Sequence, residues 1–151
     1  MKNLIKTFVQ NTQDQTNSIA SLALRVPTGI IFAAHGAQKL FGWFGGYGLQ
    51  GTAGWMESIG LTPGIPLTLL AGGAEFFGGL ALLLGLLTRP AAFALAITML
   101  VAIFSVHLAN GLFMSNNGYE FGLALLAISV ALTFSGGGRF AIDNWLAKKL
   151  A

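Results

Sequence analysis

Apolar residues in this chain gather into four long runs, separated by short stretches rich in glycine, proline and asparagine. The first goes from Ile19 to about Gly42, the second from Gly64 to Leu87, the third from Pro90 to Phe113 and the fourth from Tyr119 to Ser135. A helix needs roughly 17–25 apolar residues to cross the hydrocarbon core of a bilayer, so each run predicts a spanning helix. Thr88-Arg89-Pro90 closes the second run, and Pro90 suits the first turn of the third. Ser115 to Gly118 reads as a tight turn, and Gly136-Gly137-Gly138 ends the fourth run. The glycine-rich segment from Trp43 to Pro63 carries Trp43, Tyr47 and Trp55 and predicts a short surface helix over 50–59. Both ends of the chain are amphipathic. Leu4, Ile5, Phe8 and Val9 share a face beside Lys2 and Lys6, and Phe140, Ile142, Trp145 and Leu146 oppose Asp143, Lys148 and Lys149.

The expected fold is therefore all-α: a polytopic four-transmembrane-helix bundle over 19–135, with an amphipathic or flexible segment at 1–18 and an amphipathic one at 136–151. Composition sharpens this. Charged residues make up 9% of the chain, against roughly 25% in soluble domains, and mean hydropathy is +0.72. A soluble enzyme and a disordered chain are both excluded. With no cysteine, the chain has no disulfide, thiolate cluster or thiol–disulfide chemistry of its own. Its pI of 9.6 comes from few, placed charges rather than from a nucleic-acid-binding surface. Four spans put both termini on one side with Lys2, Lys6, Arg89, Arg139, Lys148 and Lys149, leaving Lys39 on the other. By the positive-inside rule the termini are cytoplasmic.

Residues 31–41 (IFAAHGAQKLF) and 103–113 (IFSVHLANGLF) agree at six of eleven positions, His35 matching His107. Each segment is followed by Glu-Phe and a Gly-Leu-Ala-Leu-Leu run, at Glu75 and at Glu120, with a spacing two residues shorter in the second. This order suggests a duplicated helical hairpin, related by an axis along the membrane normal.

Ionisable residues inside spans are costly and usually face a bundle interior or a cavity. Arg25, His35, Lys39, Glu75, His107 and Glu120 are such residues, and Asn110 lies with the outer group. Arg25 and Glu75 could form a buried ion pair that only fixes register, and the histidines could simply be hydrogen-bonded neutral side chains. Alternatively these residues line a polar pocket able to bind a ligand or pass protons, since histidine titrates near neutrality. On that reading Glu75 reaches Arg25 or His35, and Glu120 reaches Lys39 or His107. A haem or metal held by His35 and His107 is a weaker alternative, because no span carries paired histidines. The small residues Gly72, Gly73, Gly78 and Gly79 predict close helix contact more than a slot for a flat ligand.

Leu24-Arg25 with Gly29 and Phe32, His35-Gly36, and Lys39-Leu40-Phe41 resemble the first-span signature of the DoxX family of bacterial membrane proteins. The resemblance continues through Gly72-Gly73, Glu75, Gly78-Gly79, Gly85 and Thr88-Arg89 to His107, Asn110-Gly111, Phe113 and Glu120. It implies a four-span bundle in the inner membrane and a redox context, with links to quinone chemistry and oxidative-stress complexes. A redox-associated accessory subunit binding a quinone-like or other small hydrophobic ligand beside a partner redox enzyme is the reading these features favour. A non-enzymatic scaffold or assembly subunit is the alternative, and a small proton-coupled transporter, working as a homo-oligomer, is the third. Contacts to membrane lipids are expected under all three, and nucleic acid under none.

Overall fold

A computed structural model describes residues 15–150, so the amphipathic pattern read at the N-terminus lies largely outside the described residues. Six α-helices follow one another: α1 (Gln15–Phe41), α2 (Gly48–Ser58), α3 (Gly64–Leu84), α4 (Thr88–Ala102), α5 (Glu120–Ser135) and α6 (Ile142–Leu150). There is no strand among the described residues. The helical stretches Ile19–Phe41, Gly64–Leu84 and Thr88–Asn110 are each long and apolar enough to cross a membrane. Helix α5 is equally apolar in character but has 16 residues, about 24 Å at 1.5 Å per residue.

Helices α1, α3, α4 and α5 form a ring in which each contacts the next and α5 closes back on α1. The tightest seam is α1 on α3, and glycine makes it possible. A Cβ added to Gly29 would stand 2.7 Å from the Gly79 carbonyl oxygen, and one on Gly36 would overlap the backbone of Phe76. Gly29 and Gly36 are seven residues apart on α1, as are Gly72 and Gly79 on α3, so each pair repeats along one helix face. Without water to expel, apposed backbones gain from van der Waals contact that any larger side chain would prevent. Phe32, Leu82, Leu95, Met99, Leu125 and Leu132 fill the space between the four helices.

The outer surface is apolar. Phe77, Phe93, Phe104 and Phe134 are all exposed, Phe134 by 77%, which suits a surface solvated by lipid chains. The bundle has two unlike ends. At one, here called the base, the start of α1 meets the α3–α4 turn and the segment 136–143. At the other, the crown, α2 packs on α3 and α1 through Thr52, Ala53 and Met56. Helix α4 continues toward the crown through a π turn at Ile103–His107 and a 3-10 turn at Leu108–Asn110.

Candidate functional site

The span residues singled out in the sequence divide into two groups at opposite ends. Arg25 lies at the base, 2% exposed, and is consumed by backbone carbonyls. Its Nε donates to Gly137 O at 3.1 Å, Nη1 to Leu82 O at 2.9 Å and Leu83 O at 2.6 Å, and Nη2 to Phe140 O at 2.9 Å. The last carbonyls of a helix have no partner within it, and a cation there also suits the helix dipole. Arg25 thus caps α3 and holds the 136–143 segment. The expected Arg25–Glu75 ion pair does not form, because the two residues belong to different depths of the bundle.

The residue that completes the base is Asp143, read from the sequence only as part of the polar face of the tail. It is 2% exposed. Its carboxylate accepts hydrogen bonds from the backbone N–H of Leu87 at 2.6 Å and Thr88 at 2.8 Å, at the start of α4, and also interacts electrostatically with Arg25. An acid in the first turn of a surface helix is commonplace, and that disguised a buried group. Gly85, at φ +66°, turns the chain between α3 and α4 and accepts a hydrogen bond from the Asp143 N–H at 2.9 Å.

Toward the crown the four helices part around a cavity of about 700 Å3. His35 and Lys39 of α1, Glu75 of α3 and His107 in the π turn line it. Lys39 Nζ and Glu75 Oε2 form an ion pair at 2.5 Å, with the Glu75 side chain buried and that of Lys39 about a quarter exposed. The rest of the wall is almost entirely apolar, including Phe32, Met99 and Leu125. His107 Nδ1–H donates to Asn117 O at 2.8 Å. A neutral imidazole held this way keeps Nε2 as a hydrogen-bond acceptor.

Asn110 and Glu120 stand outside the cavity. Asn110 Nδ2 donates to Val106 O at 3.1 Å and Asn117 O at 3.2 Å. Glu120 Oε1 accepts from the Met114 N–H at 2.6 Å, not from Lys39 or His107. Both side chains shape the 111–118 loop. Among the described residues no group of three or more His, Asp or Glu side chains is placed to hold a metal ion.

The family model named DoxX matches residues 20–108, which contain most of α1, the chain on through the π turn, and His35, Lys39, Glu75 and His107 of the cavity wall. The chain belongs to the DoxX family. It is similar to "Putative oxidoreductase CatD" of Bacillus subtilis, 37% identical over 131 residues, covering 86% of this chain and 89% of that protein. Inner membrane protein YqjF of Escherichia coli is 37% identical over 139 residues, 87% of this chain and 95% of its own length. An uncharacterized protein of Haemophilus influenzae is 40% identical over 110 residues, 67% and 82% of the two chains. No solved structure matches the chain significantly. Like its DoxX relatives, then, this is a membrane protein, and its four apolar helices are built for lipid.

Proposed function

We propose that this protein is an accessory subunit of a bacterial inner-membrane redox system, and that its cavity holds a quinone-like or similarly small hydrophobic ligand. One observation carries the reading: an apolar cavity whose polar wall combines the Lys39–Glu75 pair with two imidazoles. Its volume of about 700 Å3 lies inside the roughly 300–1,000 Å3 of typical small-molecule sites. Apolar walls with a few placed polar groups suit a ring with carbonyl or hydroxyl oxygens. Reducing such a quinone takes two electrons and two protons. The electrons come from a partner redox enzyme, and Lys39, Glu75 and the imidazoles are groups able to donate hydrogen bonds or protons to the two oxygens. The name of the Bacillus subtilis relative, an oxidoreductase, points the same way.

Titration of the purified protein with decylubiquinone, followed by tryptophan fluorescence, tests this, since Trp55 lines the cavity. Saturable quenching is expected, with Glu75→Gln weakening binding about tenfold, a loss of ~1.4 kcal/mol. Linear quenching, together with no ligand retained in native mass spectrometry, would leave the scaffold reading in its place. That second reading draws support from Arg25 and Asp143, whose hydrogen bonds go to backbone groups and tie segments of the chain together.

The six-to-one distribution of basic residues places both termini and Arg89 in the cytoplasm under this proposal. A reporter fused after Ala151 should be active if it requires the cytoplasm and silent if it requires the periplasm. The opposite pair of results overturns the orientation.

A further inference from the structure

The cavity does not have the same wall on every side. Toward the base, α3 and α4 touch: the side chain of Leu95 lies 3.1 Å from where a Cβ on Gly78 would stand. Nearer the crown, both helices turn residues onto the cavity that are also strongly exposed. Leu70 of α3 is 70% exposed, and Ile97 and Val101 of α4 are 47% and 52% exposed, yet all three line the cavity. A side chain that both lines a cavity and stands open to the surroundings is at its mouth. Behind these three come Ala71, Ala74 and Ala94, small residues that leave the throat wide. The crown is covered by Trp55 and Met56 of α2 with Leu61 and Met114; Met56 is buried and its Sδ lies 3.4 Å from the Thr68 hydroxyl, whereas Trp55 and Met114 are 42% and 56% exposed. The opening marked by Leu70, Ile97 and Val101 therefore faces sideways, at the level of the spans, where the surrounding medium is lipid.

We infer that the ligand enters from the bilayer, through the gap between α3 and α4, and that it is a lipid-dissolved molecule with a polar head and an apolar tail. The head reaches the Lys39–Glu75 pair while the tail trails past Leu70, Ile97 and Val101 into the acyl chains. This rests on the ligand-binding reading above and adds its route and the chemistry of its tail. A water-soluble solute would have to cross the same mouth past Leu70, Ile97 and Val101, whose side chains cannot replace its hydration shell.

The absence of native cysteine makes a direct test possible. Ala74→Cys and, separately, Ala94→Cys place a thiol on each side of the throat with little change in volume. In proteoliposomes, N-pyrenylmaleimide, which partitions into the bilayer, should alkylate both thiols, whereas a sulfonated methanethiosulfonate reagent present on both faces should not. Adding Leu70→Trp should slow the pyrene reaction at least tenfold at Ala74→Cys but not at the control Phe93→Cys on the outside of α4. Modification of both throat thiols by the sulfonated reagent as fast as by the pyrene reagent overturns the lateral route, and so does failure of the pyrene reagent to reach them. Decylubiquinone separates the two claims. If the route holds but this quinone gives no protection against alkylation, the quinone reading falls while the lateral mouth stands.

Discussion

Replacing Arg25 with methionine is expected to lower stability by about 4 kcal/mol, equivalent to a drop in Tm on the order of 10 °C for a chain of this size. Four backbone carbonyls at the base lose the guanidinium at once, those of Leu82, Leu83, Gly137 and Phe140, of which Leu82 keeps a hydrogen bond from the Gly85 N–H. Each unsatisfied group costs about 1–3 kcal/mol, and Asp143 is left as a buried carboxylate without its nearby cation. Arg25→Lys should recover less than half of the loss. A lysine brings the charge but not the planar fork that spans carbonyls from two separate segments. Thermal unfolding in detergent, monitored by size-exclusion fluorescence, measures this. An Arg25→Met protein as stable as the parent would mean that the base carbonyls are satisfied in some other way.

The Lys39–Glu75 pair makes a contrasting prediction. Removing one partner, by Lys39→Met or Glu75→Leu, should cost about 3–5 kcal/mol, because the other is left unpaired within the bundle. The double variant should return close to parental stability, since two apolar side chains of similar size suit the surrounding wall. Binding of decylubiquinone, however, should be lost in the double variant despite the restored fold. That combination separates architecture from function. A double variant that is stable and still binds would show that the ion pair has no part in recognition, and a double variant no more stable than either single one would refute their coupling.

The all-helical character of the chain was legible because leucine and alanine runs leave little choice in lipid, where every backbone group must find its partner along the helix. A close helix contact by the second span was legible too, since small residues gathered on one side of it have few other uses, but that the contact is with α1 was not. The partners of the charged residues were not. Helical spacing puts Lys39 one turn beyond His35, but it says nothing about which residue of α3 stands opposite, so Glu75 was paired on paper with Arg25. Asp143 was hidden by its surroundings: in a cationic amphipathic helix an acid looks solvated. The matched segments 31–41 and 103–113 illustrate a further limit. The first stays α-helical to Phe41, whereas the second passes into a π turn at Ile103 and leaves the helix at Asn110. Nothing in the local residue pattern announces that change of winding. It also separates the two glutamates, since Glu75 reaches the cavity while Glu120 serves the loop before α5.

The position of Arg25 along the chain has a consequence for biosynthesis. Its carbonyl partners in α3 lie 57 and 58 residues downstream, and those at Gly137 and Phe140 lie 112 and 115 residues downstream. At translation rates of about 5–20 residues per second, the guanidinium waits roughly 6–23 s after its own synthesis before the last of these acceptors exists. Throughout that interval the first span is a poor guest in pure lipid and is best accommodated by the insertion machinery or at its watery edge. A chain broken off before residue 137 leaves the guanidinium only its α3 acceptors, Leu82 and Leu83, with the hydrogen bonds to Gly137 and Phe140 unmade.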